Sequence, residues 1–315
     1  MPSKKILVIV GPTASGKTRL AVELAKAHNG EVVSADSMQI YRRMDIGTAK
    51  PTAEEMGGVP HHMIDVAGPE EDFSVARYVE MASVCVDGIL ARGKLPIVAG
   101  GTGLYVDSLL SGRTFAAFSP DSPLRQELET ELAERGGEAM LAELAQVDPE
   151  SAARLHPNDH KRIVRALEVY RSTGKTISEH NRETQALPPR YEALTIGLNF
   201  RDRADLWARI DARVDQMAET GLEEEVRSLL ASGLPRTCTA MQAIGYKEFV
   251  AAVEGEMTWQ EAQELVKLRS RQYAKRQITW FKRNRDTHWL LWDKNPNFGN
   301  ARQRSTELLR DFGLG

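Results

Sequence analysis

Cysteine is nearly absent. Cys85 and Cys238 are the only two in 315 residues, far apart and without any Cys-x-x-Cys or Cys/His spacing. That excludes a disulfide framework and argues against a zinc knuckle, and it suits a reducing cytoplasm. Long apolar runs are missing as well: the longest, Ile6 to Val10, falls far short of the ~18 residues that cross a bilayer, so no membrane association is expected. The opening Met-Pro-Ser-Lys-Lys leads through that run into a Gly-rich loop rather than a small-residue cleavage site, so no secretory signal is read. Internal repeats and low-complexity tracts are lacking. Nor is there a charge excess, since 41 basic residues meet 44 acidic ones for a net charge of −3. A bulk balance says nothing for or against a polyanionic partner; only the placement of charge does. What remains, 42% hydrophobic and 27% charged residues, is ordinary globular composition. It excludes disorder and collagen-like structure and fits one large or two modest domains.

Strand and helix patterns alternate at the start. Lys4 to Val10 reads as a buried strand, Arg19 to His28 as a helix with Leu20, Ala21, Leu24 and Ala25 on one face, and Glu31 to Ala35 as a second strand. Phe73 to Arg92 reads as a helix opened by Asp72 or Ser74, and Leu95 to Ala99 as a strand ending in Gly-Gly. Such alternation predicts a parallel α/β sheet flanked by helices. From about residue 116 the texture turns Glu-rich and helical, over Leu124 to Arg135, Ala139 to Leu144, Asp148 to Arg154 and a basic His160 to Arg171. Pro188-Pro189 closes this stretch, and Leu194 to Phe200 reads as a strand that rejoins the sheet. The expected division is therefore a core of residues 1–115 and 190–315 with a helical insertion at 116–189. Further helices are expected at Arg203 to Met217, Glu223 to Ala231, Lys247 to Val253 and Trp259 to Asn284.

Gly11-Pro12-Thr13-Ala14-Ser15-Gly16-Lys17-Thr18 matches G-x-x-x-x-G-K-[ST] between a predicted strand and a predicted helix. The glycines let backbone N–H groups turn toward a phosphate chain at the positive end of the helix. Lys17 adds a point charge, and the Thr18 hydroxyl can hold Mg²⁺. The loop specifies a di- or triphosphate ligand and leaves the reaction open. A switch GTPase would need Asn-Lys-x-Asp, which is absent. A motor ATPase would end the Leu95 strand in an acid, where this chain has Gly100-Gly101-Thr102-Gly103. Asp36 instead follows the second strand, at the carboxyl edge where open α/β sheets present their ligands. Asp also favours caps and turns, so a purely local role stays open there.

Several segments resemble the tRNA dimethylallyltransferases. They are residues 11 to 18, Ser34-Ala35-Asp36-Ser37-Met38-Gln39-Ile40-Tyr41, Asp45-Ile46-Gly47-Thr48-Ala49-Lys50, Val59-Pro60-His61-His62 and Gly100-Gly101-Thr102-Gly103-Leu104-Tyr105. Later come Arg162-Ile163-Val164-Arg165-Ala166-Leu167-Glu168, Gln242-Ala243-Ile244-Gly245-Tyr246-Lys247-Glu248, and Arg271 to Gln277 with Trp280-Phe281. Each is weak alone; their number and order carry the likeness nearly end to end. The resemblance implies a P-loop NTPase-like core with an all-helical insertion.

It also implies transfer of dimethylallyl from dimethylallyl diphosphate to the exocyclic amine of the adenosine beside the anticodon, without ATP consumption. On that basis Gly11 to Thr18 cradle the leaving diphosphate with Mg²⁺, and Arg213 is a further clamp unless it lies on a solvated helix face. Asp36 is the general base and Thr102 orients the amine. Asp36, Ser37, Met38, Gln39, Thr102, Lys161, Arg162, Ile163, Val164, Arg165, Gln242, Ala243, Ile244, Gly245, Tyr246 and Lys247 lie against tRNA, with Arg125 a weaker candidate. The implied partners are dimethylallyl diphosphate and the tRNA anticodon stem-loop, gripped by the insertion; the protein itself is expected to be a monomer. The rival readings are an adenylate isopentenyltransferase using free AMP or ATP, and a small-molecule kinase.

Charge placement bears on the choice. Lys267 to Arg285 holds eight basic residues and no acidic one, and His160, Lys161, Arg162, Arg165, Arg171 and Lys175 form a second cluster. Both are expected to meet phosphates. Tyr273, Ile278, Trp280 and Phe281 interleave at helical spacing and are expected to be core rather than stacking platforms. His61-His62 suggests a loop or substrate wall rather than a metal site, because adjacent histidines cannot readily face one ion.

Overall fold

The computed structural model describes residues 4–112, 122–185 and 188–314. The expected boundary near residues 115 and 116 lies outside them. The chain divides into two compact units, residues 1–110 with 190–315 and residues 111–189.

The first unit is built on six parallel strands: β1 (Lys5–Val10), β2 (Gly30–Ser34), β3 (His61–His62), β4 (Leu95–Gly100), β5 (Glu192–Phe200) and β6 (His288–Trp292). Their order is β3-β2-β4-β1-β5-β6. Strands of an all-parallel sheet are covered on both faces, which is why Ile6 to Val10 and Leu95 to Gly100 are apolar throughout and fully buried. The unit's helices are α1 (Lys17–Ala27), α2 (Ala53–Met56), α3 (Val75–Ala91) and α4 (Gly103–Ser111), then, after the second unit, α9 (Arg203–Glu219), α10 (Leu222–Ala231), α11 (Tyr246–Val253), α12 (Trp259–Phe281) and α13 (Phe298–Asp311). Helices α1 and α13 pack on each other, α3 covers β2 and β4, and α9 lies on β5. Ser74 opens α3, its hydroxyl accepting the Arg77 N–H. The core gathers Leu7, Ile9, Leu20, Leu24, Ile97, Ile196 and Leu198.

The β5 strand does rejoin the sheet, beside β1. The short elements α2 and β3, the helices α4 and α8, and also β6 and α13 escaped the sequence reading. β6 is a five-residue edge strand a short loop beyond a basic helix, and α13 is strongly polar with only a narrow apolar stripe.

The second unit holds α5 (Pro123–Val147), α6 (Pro149–Ala152), α7 (His160–Thr173) and α8 (Ile177–Gln185). Its own core contains Leu128, Met140, Leu144, Ile163, Val164 and Leu167. The two helices expected at Leu124 and Ala139 are the two halves of α5, parted by Gly136, which leaves helical geometry at φ 79. Asp148 caps α6 and ties α8 to it, its carboxylate accepting the Ser151 N–H and both the N–H and hydroxyl of Ser178.

Candidate active site

The phosphate loop follows from local geometry. β1 ends at Val10, and a Cβ on Gly11 would stand 2.4 Å from the Leu198 carbonyl oxygen, so the chain turns where only glycine fits. Ala14 adopts φ 61, a left-handed conformation for a residue with a side chain. Gly16, at φ 87, caps α1 against the Phe298 ring. The Pro12 carbonyl accepts from Ser15 Oγ at 2.8 Å and from Lys17 Nζ at 2.7 Å. The first amides of α1 have no intrahelical acceptor, which leaves them available to an anion. Burial pulls the Lys17 ammonium down to about 7; Arg213 pulls the same way and Asp36 opposes it. Burial likewise lowers Arg213, with Asp36 opposing. Two cations so placed, Arg213 pressing on the protonation of Lys17, have an evident remedy, a multiply charged anion between them.

Asp36 reaches the same place because β2 and β4 are neighbours. The Ala35 N–H donates to Ala99 O at 2.9 Å, and the Thr102 N–H returns to Ala35 O at 3.1 Å. A Cβ on Gly100 would sit 2.1 Å from Ala35 O, so the two chains touch through the missing side chain. Asp36 Oδ1 accepts the Met38 N–H at 2.9 Å and the Gln39 N–H at 3.3 Å. Thr102 Oγ1 accepts the Ser37 N–H at 3.0 Å and faces Ser37 Oγ at 3.3 Å.

The opposite wall is loop 45–50. Glu225 on α10 accepts the N–H groups of Asp45, Ile46 and Gly47, and the Tyr246 hydroxyl donates to it at 2.5 Å. The buried Lys50 ammonium pairs with Asp45 and with Asp65 and donates to Tyr41 O. Gln39 Nε2 donates to Thr48 O and Ala49 O. These bonds hold Gly47, Thr48 and Ala49 along a cavity of about 350 Å³. Thr13, Lys17, Thr18, Asp36 to Gln39, Arg213, Gln242 to Gly245 and Tyr273 share its lining. A second cavity of about 390 Å³, lined by residues 14 to 19 with Glu55 and Arg209, shares Lys17, Thr18, Ala49 and Arg213 with the first. The phosphate loop is thus reached from two sides.

The structure corrects several expectations. Arg213 is not on a solvated face; it is half-buried, with Nη1 donating to Thr13 Oγ1 and Nη2 to Ala49 O. Ile163 and Val164 are 0% and 1% exposed and belong to the core of the second unit, so their side chains offer nothing to RNA. Tyr246 is buried against Gly47, whose absent side chain makes room for its ring. Arg125 and Arg165 both pair with Glu168, and Arg171 pairs with Glu131 and Glu143. Lys161 and Arg162 remain exposed on α7, and Lys247 on α11. In the Lys267 to Arg285 block, acids from elsewhere in the chain take four of the eight cations: Asp215 faces Lys267, Glu248 faces Arg269, Asp211 faces Arg271 and Asp107 faces Arg283. Lys275, Arg276, Lys282 and Arg285 have no ion pair among the described residues. Phe281 is core as expected, but Tyr273 lines the cavity and Trp280 packs on Gly103 while donating to Asp107. His61 Nδ1 bonds Val59 O and His62 Nε2 bonds Glu31, and the described residues hold no cluster of three metal-ligating side chains. Sequence reasoning missed Glu225, which reads as an ordinary first-turn acid in Glu223-Glu224-Glu225, and Gln277, hidden among basic neighbours.

Fold and site together define a phosphate-loop α/β protein whose phosphate loop and Asp36 carboxylate share one cavity. Residues 39–284 match the IPP transferase family, and residues 4–68 match the isopentenyl transferase family. The chain is 49% identical over 309 residues to a tRNA dimethylallyltransferase of Acetivibrio thermocellus, covering 98% of each. It is 50% identical to one of Symbiobacterium thermophilum, covering 96% of this chain and 92% of that one. Among solved structures, the tRNA isopentenylpyrophosphate transferase of Bacillus halodurans is 41% identical with a TM-score of 0.72, over 98% of this chain and 97% of that one. A eukaryotic dimethylallyltransferase acting on tRNA is 32% identical with a TM-score of 0.84, over 98% of this chain and 79% of that one. The chain belongs to the IPP transferase family.

Proposed function

We propose that the protein is a tRNA dimethylallyltransferase, moving the dimethylallyl group of dimethylallyl diphosphate to the exocyclic amine of the adenosine beside the anticodon and releasing diphosphate. The observation that carries this is the single cavity shared by Asp36 and by Lys17, Thr18 and Arg213 of the phosphate-binding side. One end takes the leaving group and the other the proton.

As the amine nitrogen bonds to the allylic carbon, the carbon–oxygen bond breaks and its electron pair passes to the diphosphate. The Lys17 ammonium, the amides opening α1 and the Arg213 guanidinium hold that growing charge with donors already in place. The amine must lose a proton. Asp36 Oδ1 is occupied by two backbone amides, and Oδ2 accepts no hydrogen bond among the described residues, so Oδ2 takes it. Thr102 keeps Ser37, and with it the Asp36 turn, in place. The adenosine has to leave its stack to reach this depth. Gln242 to Gly245, Met38 and Gln39 then form its walls, and the exposed Lys161, Arg162 and Lys247 meet phosphates. The donor set also suits Mg²⁺: a hard cation asks for oxygen, and the Thr18 hydroxyl with the substrate's own phosphate oxygens supplies it without a cluster of protein ligands. Bound there, Mg²⁺ would neutralise charge on the diphosphate. The protein is read as a monomer, and its two unpaired cysteines suit the reducing cytoplasm.

Incubation with labelled dimethylallyl diphosphate and either undermodified tRNA or AMP, without ATP, tests this reading. Label in tRNA alone is the expected result. Label in AMP would identify an adenylate isopentenyltransferase, and a requirement for ATP would identify a kinase.

A further inference from the structure

Helix α12 brings the amide of Gln277 into the site, beside Ser270 and Tyr273 of the same helix. Gln277, 5% exposed, accepts the Thr13 N–H on Oε1 at 2.9 Å and donates from Nε2 to Gly101 O at 2.9 Å. Both ends of a planar amide are therefore used, each on backbone, at positions that are 264 and 176 residues away in sequence. One end is the first turn of the phosphate loop; the other is the peptide that precedes Thr102. One helical turn earlier, the Tyr273 hydroxyl interacts with Thr102 and with Gln277 itself, and burial pushes it up to about 12, so it stays a neutral hydroxyl.

The neighbours are shaped around this bridge. A Cβ on Gly101 would lie 2.1 Å from Gln277 Nε2, so glycine is what lets the amide reach the carbonyl. Gly103 admits the Trp280 ring in the same way, at 2.2 Å, which seats the last turns of α12 on this loop. Thr13 is held twice, its N–H by Gln277 and its hydroxyl by Arg213. The consequence for the loop is that the Thr13 amide is spent on Gln277 and the diphosphate must be held by residues further along.

We infer that Gln277 is a positioning residue, fixing the leaving-group loop in register with the Thr102–Ser37–Asp36 side. The inference rests on the transferase reading above. The hydrogen-bonded path runs from Thr13 through Gln277 and Gly101 to Thr102, and from Thr102 Oγ1 to the Ser37 amide beside Asp36. Displacement needs an amine, an allylic carbon and a departing oxygen in line, and a shift of about 1 Å between the two sides can cost on the order of 100-fold in rate. Neither substrate needs that register to bind by itself.

The test is a double-mutant cycle in the full-length enzyme. Gln277→Met keeps the volume and removes both hydrogen bonds. Gly101→Ala displaces the amide from the other side. Turnover with tRNA and dimethylallyl diphosphate, calorimetric affinity for inorganic diphosphate, tRNA affinity and melting temperature are read for wild type, each single variant and the double. The expected result is a fall in kcat of ~10–100-fold in each single variant, with both affinities within about 3-fold of wild type. The double variant should be no slower than the worse single one, since both changes break one bridge. Three results overturn the inference: unchanged kcat, losses that multiply in the double variant, or a loss matched by weakened diphosphate binding. If Gln277→Met fails to fold, Gly101→Ala with the same kcat-against-affinity split decides. A wild-type enzyme that binds diphosphate yet labels no tRNA would instead overturn the transferase reading, leaving Gln277 as a separate question.

Discussion

Ser37 donates its backbone N–H to Thr102 Oγ1 at 3.0 Å, a bond across 65 residues of sequence that joins the ends of two neighbouring strands beside Asp36. Loss of Asp36 or of Thr102 should therefore act on chemistry more than on binding. Asp36→Asn is expected to lower kcat by at least ~100-fold with tRNA affinity retained. Thr102→Ala should lower it by roughly 10-fold, because the turn loosens while the carboxylate survives. Single-turnover rates at saturating substrate check both, and near-normal turnover of Asp36→Asn would remove it as the base.

Burial, with Arg213 nearby, pulls the Lys17 ammonium down from its ordinary 10.5 to about 7. A bound diphosphate raises it again, so above pH 7 binding must take up a proton. Affinity for dimethylallyl diphosphate is expected to fall as pH rises from about 7 toward 10, and binding enthalpy to depend on the buffer's own heat of ionisation. Calorimetry in two buffers at pH 8.5 reads this directly. Equal observed enthalpies in the two buffers would mean that Lys17 takes up no proton on binding.

Salt should weaken tRNA binding steeply, but through a subset of the cations. Lys161→Ala with Arg162→Ala, or Lys275→Ala with Lys282→Ala, is expected to lessen the slope of log affinity against log salt by about 1–2. Arg171→Ala should leave the slope alone and reduce melting temperature, since its guanidinium is engaged by Glu131 and Glu143. Filter binding at four salt concentrations separates the two groups.

Glu31 tests stability. Its side chain is 4% exposed; burial opposes its ionisation, yet Arg92, His62 and Lys94 hold it down to about 2 from an ordinary 4.5. A depressed carboxylate contributes stability that is complete above 4.5 and lost as pH falls through about 2. Glu31→Gln is expected to cost about 3 kcal/mol at pH 7, and the difference from wild type should shrink across that window. Urea unfolding at pH 7, 4 and 3 measures it.

Local patterns carried much of the architecture. The apolar runs of β1, β2, β4 and β5 and the 3.6-residue periodicity of the long helices were readable because period and burial are short-range properties. β6 and α13 were not, since a short edge strand and a polar helix leave faint patterns. The loop at 11 to 18 was readable as a phosphate binder for the same local reason: its glycines, Lys17 and Thr18 act within one turn.

Partnership between distant residues was decided by the tertiary structure. By itself the amino-acid sequence determined that a phosphate loop stands between a strand and a helix, that Asp36 follows the second strand, and that no bulk charge marks a polyanion partner. It could not show that Arg213 bonds to Thr13, that Tyr246 faces Glu225 rather than solvent, or that Ile163 and Val164 belong to a core. The charge balance is the clearest case. In sequence the block from Lys267 to Arg285 has no acid, but in the fold Asp107, Asp211, Asp215 and Glu248 come alongside and take half of it. Ion pairing depends on distance in space, falling off over a few ångströms, and the chain brings those acids near only by folding.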